Sequence, residues 1–321
     1  LGRLSAKDAI DIIIKRLFIF KGPRKDAAKE IGKTFYGIVK ELLDEGMADQ
    51  YLKMLTQTYP FTPTYKILAD KLLAPAIVGD LPETQHIRDL IKITSSAVVR
   101  TVNKNLWDEI SLISLSHLSP EDIEPLLGEK FAKEWRNLYE ACYKPLSEIY
   151  DEETRLVALK TLPIIYVKSV TTNISKLLEM IRASKSPEKL PKSEILARGT
   201  SKADLIFSLV GVVKEDVLTK IHDAWEYLRH STPYVNPISF LGEEYLLMSF
   251  ISSPYELIES FKREEVLKFT TEGKFDVKKA CDYFKEHLVA EYNIIGKFMS
   301  VSEKENNPTV LLVNYDDLTR I

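Results

Sequence analysis

Cysteine is almost missing from this chain: 321 residues carry two, Cys142 and Cys281, far apart and in unrelated contexts. That excludes a disulfide framework and a cysteine-built zinc site, and a reducing, cytoplasmic setting is the expectation. Glycine is scarce too, at 12 residues, too few and too scattered for a dinucleotide-binding loop. No apolar run reaches the roughly 18 residues that span a bilayer. The longest candidate, Leu205–Val213, is interrupted by Ser208 and Gly211, so no membrane partner is expected. Nor does a charged-then-apolar leader open the chain. An excess of positive charge is also lacking: 44 Lys and Arg stand against 47 Asp and Glu, a net charge of −3. Bulk positive charge therefore cannot drive nucleic-acid binding, and any such contact must use a local basic face.

The catalytic inventory is equally thin. None of the five histidines sits in a metal-binding spacing; His222 and His230 are eight residues apart on one predicted helix, too far to share an ion, and no metal is assigned. No Gly-x-Ser-x-Gly elbow occurs. Gly32-Lys33-Thr34 resembles the end of a phosphate-binding loop, but Ala27 stands where the loop needs glycine. A helical apolar stripe runs straight through it. Asp316-Asp317 reads as a solvated turn rather than a magnesium-binding pair.

What the chain has is 45% apolar residues in a length that suggests two or three structural units. The pattern is mainly α. Ser5-Ala6-Lys7-Asp8 caps a first helix that stops by Lys21-Gly22-Pro23. Apolar residues at three- and four-residue steps predict a second helix over Asp26–Leu43 and a third over Ala48–Thr58. Tyr59-Pro60-Phe61-Thr62-Pro63 then forces an extended entry into a helix at Tyr65–Leu73, because each proline disfavours helical geometry in the residue before it. A long helix over Thr84–Asn105 presents Arg88 near its start.

Residues 107–118 read as a short strand or loop, and Ser119-Pro120-Glu121-Asp122 as a helix start. Helices follow over Phe131–Tyr143 and Glu152–Val170, where Pro163 is expected to kink or divide the second. Between Arg182 and Lys202 the basic Arg182, Lys185, Lys189, Lys192, Arg198 and Lys202 outnumber Glu188 and Glu194, marking a solvated linker or a phosphate-contacting loop. Thr200–Asp204 caps a helix through Leu209, Lys214–His230 reads as one amphipathic helix, and Tyr234–Phe240 as a strand before a turn at Gly242. Helix, helix and β-wing is the order of a winged-helix module. Its longer helix carries Glu215, Asp216, Asp223 and Glu226, which would repel phosphates, so protein contact is favoured over base reading. Helices over Glu256–Lys268 and Val277–Phe298 precede a terminal strand, Thr309–Val313. That unpaired strand and a leading leucine give the expectation of a piece of a longer polypeptide.

Lys15-Arg16-Leu17-Phe18, Tyr51-Leu52, Tyr59-Pro60-Phe61-Thr62-Pro63 and Gln85-x-x-Arg88, with Gly199–Ile206 and Ala224–Leu228 downstream, resemble a run in large prokaryotic and archaeal AAA+ ATPases catalogued as domain of unknown function 499. Thr62 replaces that family's usual histidine, and His86-Ile87 departs from its threonine before the arginine. The resemblance implies helices trailing an ATPase core (1–46), a helical lid (47–105), a helical segment (106–183), a basic linker (184–202), a winged-helix-like module (203–255), and helices starting a further α/β domain (256–321). It implies that Arg88 is a sensor-two arginine and that Arg16 lines a subunit boundary as a candidate finger. Lys185, Lys189, Lys192, Arg198 and Lys202 are the candidate nucleic-acid contacts. ATP and magnesium would be held only in the longer polypeptide, by an upstream core, and this piece alone would be inactive. The expected task is coupling nucleotide state to DNA or a protein partner, in a DNA-directed or defence system, with further copies of the chain as candidate partners. The rival readings are a self-contained helical adaptor and a winged-helix DNA-binding protein.

Overall fold

A computed structural model describes residues 5–72, 83–103, 111–124, 127–170, 198–240, 242–249, 270–271 and 274–275. It is mainly helical, with a small three-stranded antiparallel sheet. The first helix, α1 (Ala6–Leu17), starts at a capping box in which Ser5 Oγ accepts from the Asp8 amide and Asp8 accepts from the Ser5 amide. These hydrogen bonds hold the Asp8 carboxyl below the ordinary carboxylate range. α2 (Arg24–Leu42) and α3 (Glu45–Thr58) form a hairpin whose apolar stripe includes Ala28, Phe35, Val39, Ala48, Tyr51 and Leu55.

Pro63–Tyr65 makes one 3-10 turn and leads into α4 (Lys66–Leu72). α5 (Glu83–Asn103) follows. Residues 111–118 form the expected irregular connection: Ile113 bridges to Phe61, and Leu115–His117 is a 3-10 turn. Arg100 of α5 clamps it, donating to the His117 carbonyl and to both carboxylate oxygens of Asp122. α6 (Pro120–Ile123) begins at the predicted Ser119 cap with proline in its first turn. α7 (Gly128–Ser147) and α8 (Glu152–Ser169) complete the helical layer.

α8 is the centre of the described elements. Every residue from Thr161 to Ser169 is buried, so the second half of the helix has no solvent face and no amphipathic stripe. Pro163, expected to kink or divide it, lies inside one continuous helix; packing on all sides outweighs the hydrogen bond that proline cannot make. α4, α7 and the 3-10 turn at 115–117 pack on it, and so do elements from the far end of the described chain.

Those elements are β1 (Thr200–Ser201), α9 (Lys202–Leu209), α10 (Glu215–Leu218), α11 (Ile221–Ser231), β2 (Val235–Phe240) and β3 (Glu243–Met248). The strands pair in the order β1-β3-β2, with Thr200 opposite Leu246 and Val235 opposite Met248. The single helix predicted over Lys214–His230 is in fact two. Thr219 Oγ1 donates to the Asp216 carbonyl and the Lys220 amide closes onto Val217, local hydrogen bonds that end α10 before α11 begins. Buried side chains from α1 to β3 form one hydrophobic cluster. A two-stranded pairing of β4 (Thr270–Thr271) with β5 (Lys274–Phe275) is also described. The helices predicted over 256–268 and 277–298 and the strand over 309–313 lie outside the described residues.

Candidate functional site

The proline-flanked turn is where α1, the 111–118 connection and α9 meet. α3 closes as the Tyr59 amide donates to Leu55, and Tyr59-Pro60 is a cis peptide bond. Phe61 then stacks on Tyr65 at 4.4 Å between ring centroids and meets Phe18 edge-on at 5.5 Å. The Thr62 amide donates to the Ile113 carbonyl, and the Ile113 amide returns to Pro60. These contacts bury Pro60 through Tyr65.

A chain of hydroxyls leaves this turn for α9. Ser208 Oγ donates its one hydrogen to the Asp204 carbonyl at 2.7 Å, so at the 2.5 Å contact with Thr64 it must accept. Thr64 has then used its own hydrogen, and the 3.4 Å contact with Thr62 runs from Thr62 to Thr64. Asp204 extends the link: its carboxylate accepts from the Ser201 amide in a second capping box and from Lys168 Nζ of α8 at 2.7 Å. Lys168 is almost entirely buried, a charge that is sustainable only because it is paired.

Beside this link opens a cleft of about 380 Å³. Its walls mix thioether and apolar groups (Met47, Met54, Phe207) with charge (Lys66, Asp70, Glu243). Loss of hydration raises the Asp70 carboxyl above the ordinary range, and Lys66 one helical turn away partly opposes this. Glu243 accepts from Tyr245 Oη at 2.6 Å; burial first, then that bond and the carboxylate charge, push the phenol up to about 12. Sequence reasoning singled out the turn but neither Asp70 nor Glu243. The Lys66/Asp70 pair at helical spacing was visible, whereas Glu243 reaches the cleft only through the pairing of β1 with β3.

The predicted site residues fall in different places. Arg88 is exposed in the second turn of α5, and Arg16 is exposed at the end of α1. Arg198 is buried, at 7% exposure, rather than displayed on a solvent face. Lys202 is partly covered: its ammonium lies 3.1 Å from His222 Nδ1 and 5.6 Å from the centre of the Trp225 ring. Lys185, Lys189 and Lys192 lie outside the described residues. Around α11 the charges pair internally. Trp225 Nε1 and Arg229 both reach Glu244, at 3.2 and 3.1 Å, and His230 lies 3.3 Å from Glu226.

The described residues do not fit a nucleotide and magnesium site. Gly32-Lys33-Thr34 is continuous α2: Gly32 is packed against Leu52, and Thr34 Oγ1 donates to the Glu30 carbonyl, so no backbone amides are free to cradle a phosphate. Among the described residues no cluster of His, Cys, Asp or Glu could hold a metal ion, and no helix is long and apolar enough to cross a membrane. The family model described as DUF499 second domain matches residues 5–201. No curated protein and no solved structure matches the chain.

Proposed function

Because the chain belongs to the DUF499 family, its residues 5–201 matching the second domain, we propose that it is the coupling region of an AAA+ ATPase. In this reading an ATPase core upstream in the same polypeptide holds ATP and magnesium, and this region transmits the core's state to a partner. The observation that carries the reading is the buried hydroxyl chain Thr62–Thr64–Ser208, which fastens the proline turn to α9 and thus to the sheet. A displacement of the turn would be handed on through a fully packed core, which has discrete arrangements rather than a soft response. The exposure of Arg88 supports its role as the sensor-two arginine, since it leaves the guanidinium open to a group outside this chain. In the longer natural polypeptide, Arg88→Ala should lower ATP turnover about a hundredfold, the usual cost of one preorganised charge-stabilising donor. Unchanged turnover with the fold intact would remove Arg88 from the reading and favour a helical adaptor.

The strand order β1-β3-β2, with α9 to α11 lying between β1 and β2, agrees with a winged-helix module downstream of the lid. The surface of α11 favours a protein partner over duplex DNA. Asp223 is exposed there, and Arg229 and His230 are turned onto Glu226 and Glu244 instead of outward. Measured binding to duplex should therefore be weak. A steep salt dependence abolished by charge reversal at Lys189 and Lys192 would instead restore DNA as the partner, through the basic linker.

A further inference from the structure

Ile19 is fully exposed, at 101%, in the connection between α1 and α2, while Phe18 and Phe20 on either side are held against Phe61 and Tyr59. A lone exposed aliphatic needs no explanation. This one is unusual in its setting: residues 15–25 hold five basic side chains, Lys15, Arg16, Lys21, Arg24 and Lys25, and no acid. Arg24 is paired to Asp11, and the other four are exposed. The connection is an apolar knob with a basic rim.

The cleft beside the proline turn has the opposite character. Its walls present Met47, Met54 and Ile67 as adaptable apolar contacts, and three carboxylates, Asp70, Asp204 and Glu243, against the single Lys66. Asp204 is neutralised by Lys168, which leaves Asp70 and Glu243 to set the sign. Knob and cleft flank the same turn. Phe18 and Phe20 pack on Phe61 and Tyr59, and the cleft begins at Pro63 and Thr64. Two copies related by a two-fold axis can therefore exchange knobs, each Ile19 entering the partner's cleft, which closes the assembly at two.

We propose that the cleft receives the Ile19 connection of a second copy of this chain, forming a two-fold dimer held by apolar insertion and by Lys21 and Lys25 against Asp70 and Glu243. This goes beyond the coupling role and does not depend on it. The test is sedimentation velocity of the 321-residue chain across protein and salt concentration. A concentration-dependent dimer that salt weakens is expected. Ile19→Asp should weaken it by about tenfold or more, as for a central anchor residue, with thermal unfolding unchanged because the side chain touches no core. Lys21→Glu and Asp70→Lys should each weaken it, and the two together should restore it. A monomer at every concentration overturns the proposal, as does a dimer indifferent to Ile19→Asp, or a charge-reversal pair without rescue. So does Ile19-dependent binding to phosphatidylserine vesicles or duplex DNA without self-association, which would give the knob to an anionic surface instead.

Discussion

Two helical regions of similar length behave in opposite ways. α2 lies at the surface, buries one stripe and exposes Lys25, Lys29, Lys33 and Lys40 on the other side. α8 has almost no surface in its second half and carries Thr161, Lys168 and Ser169 into the interior. In α2 the helical period does the positioning, because half the helix must stay wet. In α8 nothing periodic remains, and two of its buried polar groups are held by specific partners: Lys168 on Asp204, and Ser169 Oγ accepting from the Met248 amide. An amphipathic helix is specified by pattern, and a central one by complementarity.

Truncation at the centre should show the largest effect. Leu162→Ala in α8 is expected to cost about 3–5 kcal/mol in urea unfolding, against about 1 kcal/mol for the half-buried Leu42→Ala in α2. Equal losses would mean that α8 is no more central than the hairpin. Next come two buried glycines. Gly211, at φ +76°, would bring a Cβ within 2.8 Å of the Phe35 ring, and Gly211→Ala should cost about 2–3 kcal/mol. A Cβ on Gly32 would meet only the end of the Leu52 side chain, which can rotate away, so the gain in helix propensity leaves Gly32→Ala near neutral. Thr64→Val is expected to cost about 1–2 kcal/mol, because Ser208 keeps its bond to Asp204 while the Thr62 hydroxyl loses its acceptor. A neutral Thr64→Val would deny the hydroxyl chain any role in joining the two regions. The smallest effect is one of pH. Asp8 and Asp151, held below the ordinary carboxylate range at helix starts, add stability that is complete above their unfolded values and lost as pH falls through their lower folded ones. Ser5→Ala should flatten the acid limb of the stability profile by removing the Asp8 share.

The surface helices were legible in the sequence to within a few residues, because caps and stripes are local: Ser5, Ser119 and Ser201 each start the helix they foretold. The course of α8 through Pro163 was not legible, since nothing within residues 152–169 records that other elements surround it. The break at Thr219-Lys220 was hidden for a related reason: the apolar period of Val217, Leu218 and Ile221 continues across it while the backbone does not. The candidate cleft was half legible. Its turn is written in two prolines and an aromatic, but its carboxylates come from α4, α9 and β3, the first and last more than 170 residues apart in the chain.

The position of α8 also bears on how this sequence can be divided and reused. β1, α9, α10, α11 and β3 all pack on that one helix, and so do α4, α7 and the 115–117 turn from the layer before it. One hydrophobic cluster runs through both parts. A swap or transplant that moves residues 198–249 without 152–170 would carry a sheet whose inner face meets water, so evolution and protein engineering alike must handle the two as one inheritable unit.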